Sequence, residues 1–135
     1  MKKFLFLGLL LGIFMFNACK DDDTTTEPDY HAHIHSPAAN STYAVGDTVA
    51  IEVDFEDHNG GTVHHINVRI FNKSTGTEIY NQPTEPHVHS PASYTFEGTE
   101  VLDGVTPGTY TLEAKVWGHD DGVSEEVSSI DFTVN

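Results

Sequence analysis

The sequence predicts an all-β chain, a seven-stranded antiparallel β-sandwich spanning residues 30–135. Three observations carry that prediction. After residue 29 no segment sustains a helical period. Apolar and polar residues instead alternate in short runs, the mark of strands buried on one side. Turn signals such as "NGG", "NKSTG" and "TPG" separate those runs at the spacing of an antiparallel sandwich.

The elements follow in order. "YHAHIHS" (30–36) is the opening strand. "TVAIEVDF" sets Val49, Ile51, Val53 and Phe55 on one face, opposite Thr48, Ala50, Glu52 and Asp54. "VHHINVRIF" groups Ile66, Val68 and Ile70, and "TEIYN" forms a short fourth strand after the turn. "SYTFEG" sets Tyr94 with Phe96. "TYTLEAKVW" aligns Tyr110, Leu112, Ala114 and Val116, and "SSIDFTV" aligns Ile130, Phe132 and Val134. The 106 residues suffice for one domain with a modest core.

"VTPGTYTLEAKVW" is the stretch most specific for fold. A Pro-Gly turn leading into Tyr110 and an alternating strand resembles the penultimate strand of immunoglobulin-like and fibronectin type III-like domains. That resemblance implies an immunoglobulin-like β-sandwich in which Tyr110 supports the corner before its strand. The Cys–Trp–Cys signature of antibody domains is absent, as the chain has one cysteine.

Residues 1–18 read as an address. "MKK" precedes an apolar run too short to span a membrane comfortably, which ends at "FNAC". This resembles a bacterial lipoprotein signal, which implies that Cys19 is lipidated and anchors the mature protein to the membrane; Phe16 and Asn17 depart from the usual lipobox. Residues 19–29, "CKDDDTTTEPD", read as a flexible acidic tether. A basic and then acidic residues after such a cysteine resemble the export signal of Bacteroidota surface lipoproteins. The resemblance implies an outer-membrane location on the cell surface, with the periplasmic face as the alternative. Beyond residue 18, four basic residues (Lys20, Arg69, Lys73, Lys115) stand against all 21 acidic ones, leaving a net charge of −17. Such a field repels nucleic acid and concentrates cations.

Nine histidines are the unusual feature. Alternate connections of an up-and-down sandwich lie at the same pole. His31, His33 and His35, the loop residue His58, His64 and His65, His87 and His89, and His119 are all expected at or near one pole. On a strand, residues i and i+2 face the same way about 6.5–7 Å apart. Two imidazoles at that spacing can converge on an ion at about 2.0–2.1 Å per bond. "HAHIH" and "HVH" hold such pairs, and Asp57, Asp120 and Asp121 are positioned to add an oxygen ligand or orient an imidazole. Imidazole selects a Zn or Cu ion, whereas neither acidic loop has the alternating carboxylates of a Ca²⁺ loop.

Blander roles stand beside each of these. "HAHIH" would serve equally as the exposed face of an edge strand, and His64, which shares parity with Ile66, as a satisfied core histidine. His65 shares parity with Asn67 and Arg69, while His58 and His119 sit in turn-rich loops. The expected function is a cell-envelope lipoprotein that binds a transition metal for capture, buffering or delivery, with an outer-membrane transporter as a partner. The alternative is an adhesive or structural module that binds a protein or glycan, any metal merely bracing its loops. No nucleophile motif and little room for a deep pocket argue against an enzyme.

Overall fold

The computed structural model describes residues 26–82, 87–120 and 124–135. The signal segment, Cys19, most of the tether and Asp121 lie outside the described residues. Nine strands form among the described residues: β1 (Tyr30–Ser36), β2 (Thr42–Tyr43), β3 (Thr48–Asp57), β4 (Thr62–Asn72), β5 (Glu78–Asn81), β6 (His87–Pro91), β7 (Ser93–Val101), β8 (Gly108–Trp117) and β9 (Glu126–Val134). They build the expected two-sheet sandwich. One sheet has the order β1-β3-β7; the other runs β2-β9-β8-β4-β5, with β6 also paired to β4.

The count exceeds seven because the chain changes sheets at two places. Pro37 has no N–H to continue the β1 ladder, so pairing with β3 ends at Ser36 and the chain crosses to lay β2 parallel to β9. The second crossing is at Ala92, whose φ is +66°. Residues expected to lead into one strand instead form two, β6 on β4 and β7 on β3. β5 covers only Arg69–Phe71 of β4, and β6 pairs with the edge left open.

The alternation places the core as expected. Val49, Ile51, Val53 and Phe55 of β3 face Ile66, Val68, Ile70, Leu112, Ala114, Val116 and Phe132, all at most 2% exposed. Tyr110 anchors the β7–β8 corner: its ring stacks on Phe132 and its hydroxyl donates to the Thr106 carbonyl at 2.7 Å. Replacing Tyr110 with phenylalanine keeps the ring and strands that carbonyl. A loss of about 1 kcal/mol of unfolding free energy is expected in urea titration.

Register fixes the poles. Tyr30 pairs with Asp57, Ser93 with Glu56, His65 with Trp117, and Val116 with Glu126. The start of β1, the β3–β4 turn, the β6–β7 crossing and the β8–β9 connection therefore share one pole. Gly108 pairs with Val134 at the other, so the chain enters the sandwich at the first pole and leaves it at the second. The histidines lie at or next to the entry pole except His35, which stands level with Glu52 and Val53 midway along β3.

Candidate metal centre

Three histidines converge on the outer face of the small sheet. Tyr30 and Ala32, each 7% exposed, point into the core, which turns His31, His33 and His35 outward. His58 follows β3 on a turn closed by Gly60 N–H to the Asp57 carbonyl (2.9 Å) and tied to the chain entry by its own N–H to the Asp29 carbonyl (2.9 Å). This brings it back over β1. His31, His33 and His58 each offer a ring nitrogen, and these three atoms lie within 4.8 Å of one another. Three donors on one tetrahedral ion stand about 3.4 Å apart, so modest rotation of exposed side chains closes the set. The rings of His31 and His58 stack at 4.0 Å, and His33 lies 6.0 and 6.4 Å from them.

Carboxylates orient two of these rings. Asp29 Oδ1 is 3.2 Å from His31 Nε2, and its Oδ2 is 4.0 Å from His58 Nδ1. Glu56 lies 3.1 Å from His58 Nε2. A carboxylate accepting from Nε2–H leaves the Nδ1 lone pair of His58 as the donor, the arrangement that raises ligand basicity. Asp29 thus spans two candidate ligands. Sequence reasoning missed both acids, assigning Asp29 to the tether. The available signal was their i−2 spacing from His31 and His58.

Asp57, expected as an oxygen ligand, has another task. It is 5% exposed, and its Oδ1 accepts the backbone N–H groups of Asp29 (3.1 Å) and Asn59 (3.0 Å). It therefore ties the incoming chain to the turn that carries His58. A Cβ on Gly61 would stand 2.2 Å from Asp57 Oδ2. Because that carboxylate is pinned, Gly61→Ala is expected to cost about 1–3 kcal/mol. Metal affinity at the triad should fall with it, measured by thermal melts and zinc titration.

The other histidines separate from the triad. His35 lies 2.9 Å from Asp54 Oδ2, whose Oδ1 accepts from Thr95 at 2.6 Å. The Thr95 hydroxyl chiefly, and then His35, hold the Asp54 carboxyl below its ordinary value. Thr95→Val should let it rise, read by NMR titration of the carboxyl carbon. That shift sets the sign of its linkage: Asp54's contribution is present above the unfolded carboxyl value near 3.8 and lost as pH falls through the lower folded one. His65 lies on the far face of the large sheet, 5% exposed, stacked on Trp117 at 5.3 Å and bonded through Nδ1 to the Gly118 carbonyl at 2.6 Å. His87 is placed by its backbone opposite His65.

His64 sits at the inner end of β4, with the His89 ring at 4.8 Å and the His119 ring at 5.5 Å. His64, His119 and Asp120 line a cavity of about 320 Å³ that also takes in Tyr30, Asp57 and Gly118. Burial chiefly, and then Asp57, raise the Tyr30 phenol.

Residues 31–114 match the model of a family described as a bacterial Ig domain. Among solved structures, the chain is similar to the CARDB domain of a Pyrococcus furiosus protein in complex with di-metal ions. That match has a TM-score of 0.55 and 19% identity, covering 80% of this chain and 89% of that one. It is also similar to part of a beta-glucosidase from Listeria innocua in complex with glucose (TM-score 0.52, 9% identity), covering 81% of this chain and 16% of the enzyme. No curated protein matches the sequence.

Proposed function

Since the chain belongs to the bacterial Ig domain family, we propose that it is a binding module that takes a transition-metal ion, Zn²⁺ or Cu²⁺, through His31, His33 and His58. The observation that carries this reading is the meeting of three ring nitrogens within 4.8 Å on one sheet face. Asp29 and Glu56 support it, as does the chain's acidic charge, which draws cations to an exposed site. A sandwich of this fold is compatible with metal, as the CARDB domain in complex with di-metal ions illustrates. An exposed three-imidazole site exchanges its ion readily, which suits capture, buffering or delivery, and neutral imidazole is the binding form. Anchoring at Cys19 in the cell envelope is part of the same proposal.

Isothermal titration of the full chain, purified in detergent without an affinity tag, tests it. Saturable Zn²⁺ or Cu²⁺ binding tighter than about 10 µM at neutral pH is expected, and the His31→Ala/His33→Ala/His58→Ala variant should lose it. Weaker binding, or binding indifferent to those substitutions, overturns the assignment.

A further inference from the structure

We propose that His64, His89 and His119 form a second transition-metal centre, separate from the triad, at the mouth of the sandwich. Its donors come from three parts of the chain: the start of β4, the strand β6, and the connection after β8. The assignment stands on its own geometry and does not require the triad to bind.

The first observation is the spacing of the rings. Two imidazoles on one tetrahedral ion, each bonded at about 2.0–2.1 Å, hold their ring centres about 5 Å apart. The His64–His89 and His64–His119 separations, 4.8 and 5.5 Å, bracket that value. The ring planes are inclined at 72° and 71°. Their three ring nitrogens do not stand within 4.8 Å of one another as those of the triad do, so rotation of the His89 and His119 side chains closes this set.

The second observation is in the backbone. Val63 pairs with Ser90 and His65 with His87, so between those pairs His64 alone faces two residues, Val88 and His89. This is a β-bulge, a device that re-aims a side chain and recurs beside functional sites. His89 pays for it with a φ of +40°, the left-handed region that a residue bearing a Cβ seldom occupies. Regular pairing would hold the "HVH" alternation strict; the bulge instead carries the His89 ring onto His64.

The third observation is access. The cavity of about 320 Å³ is lined by His64, His119 and Asp120, so an ion held by the imidazoles has a carboxylate and solvent on its open side. Imidazole donors with an acid nearby take Zn²⁺, Co²⁺ or Cu²⁺ in preference to Ca²⁺. The ion would clip β6 and the β8–β9 connection to the end of β4.

Cobalt substitution reads the two sites apart. The full chain in detergent is titrated with Co²⁺ while the visible absorption of tetrahedral cobalt is followed. About two ions per chain are expected. The His64→Ala/His89→Ala/His119→Ala variant should retain one ion, and the His31→Ala/His33→Ala/His58→Ala variant should retain the other. Should the first variant unfold, His119→Ala alone, at an exposed position outside any strand, must weaken one of the two ions at least tenfold. Amide exchange at Val88–Ser90 should slow on metal addition in the chain lacking the triad. Unchanged stoichiometry and affinity without His64, His89 and His119, or a single ion lost with the triad, overturns the second centre. If instead the triad variant changes nothing while the second set removes the bound ion, the triad reading fails and the second centre stands.

Discussion

His58→Ala is expected to lower Zn²⁺ affinity at the proposed triad site by at least about 100-fold, with unfolding free energy unchanged within about 0.5 kcal/mol. The asymmetry follows from position. His58 is exposed on the turn after β3, and its ring lies against His31 rather than in the core. Its backbone N–H to the Asp29 carbonyl survives the substitution, so the turn still closes. What disappears is the donor that bridges the strand pair: the rings of His31 and His33 stand 6.0 Å apart, and the two residues share one strand. Competition with a chromophoric chelator measures the affinity and a urea titration the stability. Equal losses in both would mean that His58 holds the fold together rather than an ion.

Phe55→Ala is expected to have the largest effect on stability, about 3–5 kcal/mol. Phe55 is fully buried on the middle strand of the small sheet, between Ala32 of β1 and Tyr94 of β7. Removing its ring leaves a void that the two flanking strands cannot close without losing register. Domains of this size are stable by about 5–15 kcal/mol, so the variant stands near the limit of folding. Glu52→Ala, on the exposed face of the same strand, should change the midpoint little. Thermal and urea unfolding of the pair separate burial from strand propensity.

Much of this molecule is legible in the sequence where one face of a strand is buried and the other wet. Val49, Ile51, Val53 and Phe55 were assignable inward because period-two alternation has one stable solution against a core. The same logic turned His31 and His33 outward, and the up-and-down course gathered the histidines at one pole. The rest depends on register, which local pattern does not encode. The sheet changes after Ser36 and at Ala92 depend on which edge is open, and the bulge at His64 exists only in the pairing of β4 with β6. His65 reads as a candidate ligand in the sequence because nothing in "VHHI" reveals that Trp117 lies opposite. Asp57 read as a ligand because its two backbone donors, Asp29 and Asn59, become its neighbours only once β1 pairs with β3.

The path of the chain has a consequence for reach. The N-terminal segment enters at the histidine pole, while Asn135 lies at the opposite end, bonded to Tyr43 and Val45. If the proposed anchor at Cys19 grips a surface, that surface holds the histidine-bearing end inward and the loops between β4 and β5 and between β7 and β8 outward. The eleven residues from Cys19 to Asp29 extend at most about 36–40 Å, and that length is the ceiling on the clearance between the histidines and the anchor. On the proposed reading, an ion released there is delivered next to the surface that holds the protein, while a partner approaching from the far side meets the histidine-free pole first.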